Sequence, residues 1–217
     1  MDTMVAEEML RMIKAEHDRR VEHLPEEDGY DQWIFIDEPF VNELCLTLLV
    51  AIRHQVEREL VLIAARVTNG GRELEGEQYT QRIQKERDNL KKHDGWKDIA
   101  AKLHLGTFHE WGASMETLRL LANSYKHDPW AVPDEKLLKH LGLSLEVTYK
   151  TLSESDDLKK GLAASLNLQS DADYCDISDE LLTRAGRFIT EVKKTLKEQG
   201  ILSSIKPRLV SHSDFAY

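Results

Sequence analysis

One segment limits the folds open to this chain of 217 residues more than any other. It runs from Asp37 to Thr68. Asp37 offers an N-cap, Pro39 falls in the first turn where a missing N–H costs little, and Asn69-Gly70-Gly71 closes the run. Between these signals the chain is apolar nearly all round at 44–52, polar at 53–59 and apolar again at 60–65. A helix that is apolar on every side has to be surrounded, either at the centre of a bundle or by a second subunit. Only 11 glycines and 5 prolines punctuate the sequence, which favours long helices over a turn-rich β architecture. The expectation is an all-α, single-domain helical bundle over 1–202 built on this long central helix, followed by a tail over 203–217.

The other elements follow from periodicity and punctuation. Met9, Leu10, Ile13 and Val21 predict a charged amphipathic helix over 4–24, and 25–37 reads as a loop with a short extended piece at 33–36. A polar helix is expected over 78–93, ended by Gly95, and a short one over 96–103. Gly106 and Gly112 bracket the entry to a further helix, and Asp134 caps a short one through His140. Residues 143–149 alternate with period two and read as a lone strand. Ser178 caps the last helix, with Leu181, Leu182, Ala185, Phe188, Ile189, Val192 and Leu196 as its core face and Gly200 as its end.

Charge and cysteine usage narrow the function. The formal charge of -10 is concentrated at the N-terminus, where twelve acids face four bases through Glu38, and the remainder is close to neutral. That balance argues against a globally basic nucleic-acid binder and leaves room for a small local phosphate site. Cys45 and Cys175 show no metal spacing and point to a reducing compartment. With an acidic N-terminus unlike a signal peptide and no apolar run of spanning length, the chain is expected to be cytoplasmic and off the membrane.

The candidate site lies on the helix ended by Asp128-Pro129. Arg119, Asn123 and His127 recur every fourth residue and form one polar stripe together with Glu116. Trp111, Met115, Leu118, Leu121, Ala122 and Tyr125 fall on the other side as core. Leu120 lies among the polar residues, and an exposed leucine there suggests a meeting with a twin subunit. The simpler account of the same residues is structural: Glu116 and Arg119 as an i,i+3 pair, Lys126 and His127 as cations at the helix C-terminus.

The segment Arg119…Asn123-Ser-Tyr-Lys126-His127, late in an all-α chain, resembles the HEPN superfamily of small helical domains. Many of its members are metal-independent endoribonucleases of toxin–antitoxin and phage-defence systems. Asn123 and His127 match the polar residue and histidine of that family's motif. The arginine does not sit directly before Asn123, where Ala122 stands; Arg119, one turn earlier, takes its place on the same face. The resemblance implies His127 as general base or acid on a ribose 2′-OH, Arg119 as the phosphate-neutralising cation and Asn123 as the orienting amide. It also implies a homodimer through the Leu120 face and the central helix, with RNA and an antitoxin protein as partners, Lys126 beside the site, and no cofactor. The alternative on the same scaffold is a non-catalytic helical dimerisation or interaction module with a degenerate site.

A second polar cluster, Arg53-His54-Gln-Val-Glu57-Arg58, interrupts the central helix. It reads as an internal ion-pair cluster, or as a contact for RNA through Arg53 and His54 across from the stripe. The nine histidines are scattered, with no Glu-x-x-His or His-Glu-x-x-His, so no metal site is expected. The basic stretch between Arg82 and Lys102 reads as a solvated helix face.

Overall fold

The long central run is helical in the computed structural model of the protein, and its stop signal works as the sequence implies. Helix α2 (Glu38–Thr68) ends where Gly70 and Gly71 take positive φ and Gly71 N–H returns to the Arg66 carbonyl at 3.0 Å. Gly71 has a second duty. A Cβ there would stand 2.0 Å from the carbonyl oxygen of Ile201, so only glycine fits that approach.

The structure describes residues 3–22, 38–72, 76–90, 95–107, 109–127, 133–144 and 151–202. Besides α2 these form α1 (Thr3–Glu22), α3 (Gly76–Leu90), α4 (Gly95–Lys102), a 3-10 turn (Leu105–Thr107), α5 (His109–His127), α6 (Glu135–His140), α7 (Asp156–Leu166) and α8 (Tyr174–Glu198) in chain order. Among the described residues every regular element is helical, and the all-α expectation holds. No helix among them is long and apolar enough to cross a membrane. The expected extended piece at 33–36, nearly all of the expected strand at 143–149 and the tail at 203–217 lie outside the described residues.

Two elements differ from expectation. Helix α7 was not anticipated, although Ser155 caps it by accepting from Leu158 N–H at 3.3 Å and Asn167 ends it in the left-handed conformation. Its apolar positions Leu158, Leu162, Ala163 and Leu166 are buried. Helix α8 starts a turn before Ser178, at Tyr174, where Asp173 accepts from Asp176 N–H at 2.9 Å. Ser178 is therefore inside the helix and fully buried.

The chain divides into two compact units, Met1–Gln55 with Trp111–Gly186 and Val56–Glu110 with Arg187–Tyr217. In the first, Lys14 of α1 pairs with Asp179 of α8 at 2.7 Å, and Lys159 of α7 with Glu38 of α2 at 2.7 Å. The turn before α7 is tied down from two sides. Asn42 Nδ2 donates to the Ser153 carbonyl at 2.8 Å and the Tyr174 hydroxyl to the Leu152 carbonyl at 2.6 Å, all of it buried. The second unit is organised on the buried carboxylate of Glu86. It accepts from Lys102 Nζ at 2.7 and 2.9 Å and from the Thr68 hydroxyl at 3.1 Å, joining α2, α3 and α4. Lys193 pairs with Glu59 at 2.7 Å in the same unit.

Candidate functional site

Helix α5 displays the polar stripe but buries more of its circumference than the sequence suggests. Leu118, Leu121 and Ala122 are buried as expected, and so are Ser114, Thr117, Leu120 and Ser124. At roughly 100° per residue these positions cover more than half the helix, and Glu116, Arg119 and Asn123 lie on the remaining side. The expectation of an exposed Leu120 is therefore corrected: it is 5% exposed and belongs to the core. The reason is that three small polar residues lie within the buried arc and make that face look solvated in the sequence.

Each of those small residues holds a neighbour. Ser114 Oγ accepts from Arg184 Nη1 at 2.8 Å, and the same guanidinium donates through Nη2 to the Leu166 carbonyl and through Nε to Glu180 Oε1, both at 2.6 Å. This one side chain links α5, α7 and α8. Thr117 gives its hydroxyl proton to the Ala113 carbonyl at 3.0 Å, so His140 Nε2–H is the donor to Thr117 Oγ1 at 2.9 Å. Ser124 Oγ accepts from the backbone of Asp134, whose own carboxylate caps α6. The Tyr125 hydroxyl donates to Glu43 Oε2 at 2.6 Å and lies 3.2 Å from Thr47 Oγ1, fixing the last turn of α5 on α2. Burial and that hydrogen bond to an anion raise the phenol's pKa above its ordinary value.

The stripe itself is held by an ion pair. Arg119 Nε donates to Glu116 Oε2 at 2.7 Å and Nη2 to Oε1 at 2.5 Å, a bidentate fork one turn long. Hydrogen bonding from Arg119 keeps the Glu116 carboxyl below the usual carboxylate range, so the pair stays charged through neutral pH. Asn123 is half-buried one turn further on, and Lys126 is exposed. The backbone of His127 completes α5; its side chain lies outside the described residues. On α2, Arg53 and His54 are both half-buried.

Chemically, this arrangement offers an anion a guanidinium whose fork already holds a carboxylate. A phosphate at Arg119 has to displace Glu116 or accept its negative charge alongside. Among the described residues no group of three metal-ligating side chains converges. The partners that fix α5, above all Arg184 and Glu43, were not singled out from the sequence. Only the i,i+4 spacing of Glu180 and Arg184 was visible there; Ser114 is 70 residues from Arg184, and Glu43 is 82 from Tyr125.

A second surface feature lies on α1. Its buried face is Ala6, Leu10 and Ile13, yet Val5, Met9 and Met12 are 48%, 38% and 62% exposed. Their i, i+4, i+7 spacing puts them in one row beside the buried face. No protein-family model, curated protein or solved structure matches the chain.

Proposed function

We propose that the protein is a non-catalytic helical dimerisation module, in which the stripe of α5 serves structure and the α1 row makes the contact with a second copy. The row of Val5, Met9 and Met12 is the observation that carries this reading. A large apolar row left in water is the usual mark of a contact surface. It is also self-complementary. An antiparallel two-fold pairing puts Met9 beside its twin and Val5 against Met12, the isologous geometry of a symmetric dimer.

Three partly exposed side chains form less than the roughly 800 Å² per partner of a standard interface. The expected dissociation constant is therefore on the order of micromolar or weaker. The bidentate Glu116–Arg119 pair supports the non-catalytic half of the reading, because it occupies the cation that phosphate chemistry needs. The HEPN resemblance then describes a scaffold whose reactive arginine is displaced and engaged.

Sedimentation at rising concentration tests the proposal. Wild type is expected to shift from monomer to dimer, and Met9→Glu to stay monomeric across the same range with unchanged helical content. A dimer that tolerates Met9→Glu overturns the α1 contact. An RNA cut in EDTA by wild type but not by His127→Ala overturns the non-catalytic assignment.

A further inference from the structure

The chain has two cysteines, 130 residues apart in sequence, and the fold brings them together. Cys45 is in the second turn of α2 and Cys175 is the second residue of α8, both within the first unit. Their sulfurs lie 3.6 Å apart, one thiol hydrogen-bonded to the other. Both are reduced and both are buried, Cys45 fully and Cys175 to 4% exposure. We propose that this pair is a modification site, a dithiol that a small peroxide converts to an intramolecular disulfide joining α2 to α8.

The chemistry balances with hydrogen peroxide as oxidant. The sulfur of Cys175, the less buried of the two, attacks a peroxide oxygen. An S–O bond forms, the O–O bond breaks, and the departing hydroxide takes the thiol proton and leaves as water. The sulfur of Cys45 then attacks the sulfenic sulfur. The S–S bond forms, the S–O bond breaks, and hydroxide leaves with the second thiol proton as another water. Two thiols lose two electrons and two protons, and one peroxide becomes two waters.

Geometry favours the second step over further oxidation. The sulfenic sulfur forms with its partner already in contact, and closing to the disulfide length of about 2.05 Å needs a movement of roughly 1.5 Å. The first step is slow at neutral pH. The hydrogen bond that the Cys175 thiol gives to the Cys45 sulfur, with burial next, holds that thiol well above its ordinary pKa and keeps thiolate scarce. The pair thus stays reduced at low peroxide and closes when peroxide is abundant.

The test uses the full chain treated with hydrogen peroxide, quenched with iodoacetamide under denaturing conditions and mapped by peptide mass. The expected result is a peptide pair linked through Cys45 and Cys175 that dithiothreitol separates. Closing a loop of this length also raises Tm on the order of 10 °C. The rise should be absent from Cys45→Ala and Cys175→Ala treated in the same way, which separates it from oxidation of the exposed methionines on α1. Sulfinic or sulfonic acid at either cysteine, a link between copies, or thiols that remain alkylated after treatment would each overturn the proposal. The wild-type peptide map decides even where an alanine variant fails to fold.

Discussion

Replacing Arg184 with alanine tests the clamp that positions the stripe helix. The guanidinium makes three bonds, to Ser114 Oγ, the Leu166 carbonyl and Glu180. Ser114 and Leu166 are buried, so two buried groups lose a charged donor. A hydrogen bond to a charged group contributes about 1.5–3 kcal/mol, and an abandoned buried acceptor costs about 1–3 kcal/mol. These overlap, and the Glu180 bond is partly solvated and adds little. The sum for Arg184→Ala is about 3 kcal/mol, or roughly 6–12 °C in Tm for a chain of this size. Arg184→Lys keeps the charge but not the fork and should recover less than half of the loss. Urea unfolding followed by circular dichroism measures both. A double-mutant cycle with Ser114→Ala should return a coupling of about 1 kcal/mol. An Arg184→Ala protein within about 0.5 kcal/mol of wild type refutes the clamp, since surface substitutions alone give that much.

Three further outcomes follow from the same structure. Lys102→Met leaves the Glu86 carboxylate buried beside Thr68 without its cation and should cost about 2–3 kcal/mol, discounted because Lys102 is a third exposed; adding Glu86→Gln should restore part of that, and a double variant worse than the single contradicts the assignment. Burial raises the Tyr174 phenol far above its ordinary value, so the folded state keeps it neutral while the unfolded chain ionises near pH ~10. The stabilisation is complete below that pH and is lost progressively as pH rises above it toward the folded-state value; Tyr174→Phe should flatten the alkaline limb of the stability curve, and an unchanged limb rules the cause out. Glu116 has a lowered folded pKa, so its contribution is present above its ordinary value and fades as pH falls through it; with both partners more than a third exposed it amounts to a few tenths of a kcal/mol, and Glu116→Gln should remove that acid-side slope. A titration of stability that is identical in the variant would contradict it.

How far the sequence could be read depends on the range of the signals. The stop at Asn69-Gly70-Gly71, the Asp134 cap and the apolar run of α2 are local, and each predicts what the fold contains. Helix α7 carries equally local signals in Ser155 and its spaced leucines, next to the stronger alternation at 143–149. The buried arc of α5 was harder to read. Ser114, Thr117 and Ser124 are polar by composition and buried because distant residues satisfy them. Nothing near Leu120 in the sequence distinguishes that from solvation. The sulfur pair has the same cause: 130 residues separate two cysteines that only packing unites.

The proposed function makes the α5 stripe structural and leaves the chain without RNA-cutting activity. Its most direct test is incubation of the purified protein with a loop-containing RNA in EDTA, with the ends of any fragments identified. Intact RNA is expected for wild type, His127→Ala and Arg119→Ala alike. Fragments ending in a 2′,3′-cyclic phosphate, made by wild type and lost with His127→Ala, would contradict it.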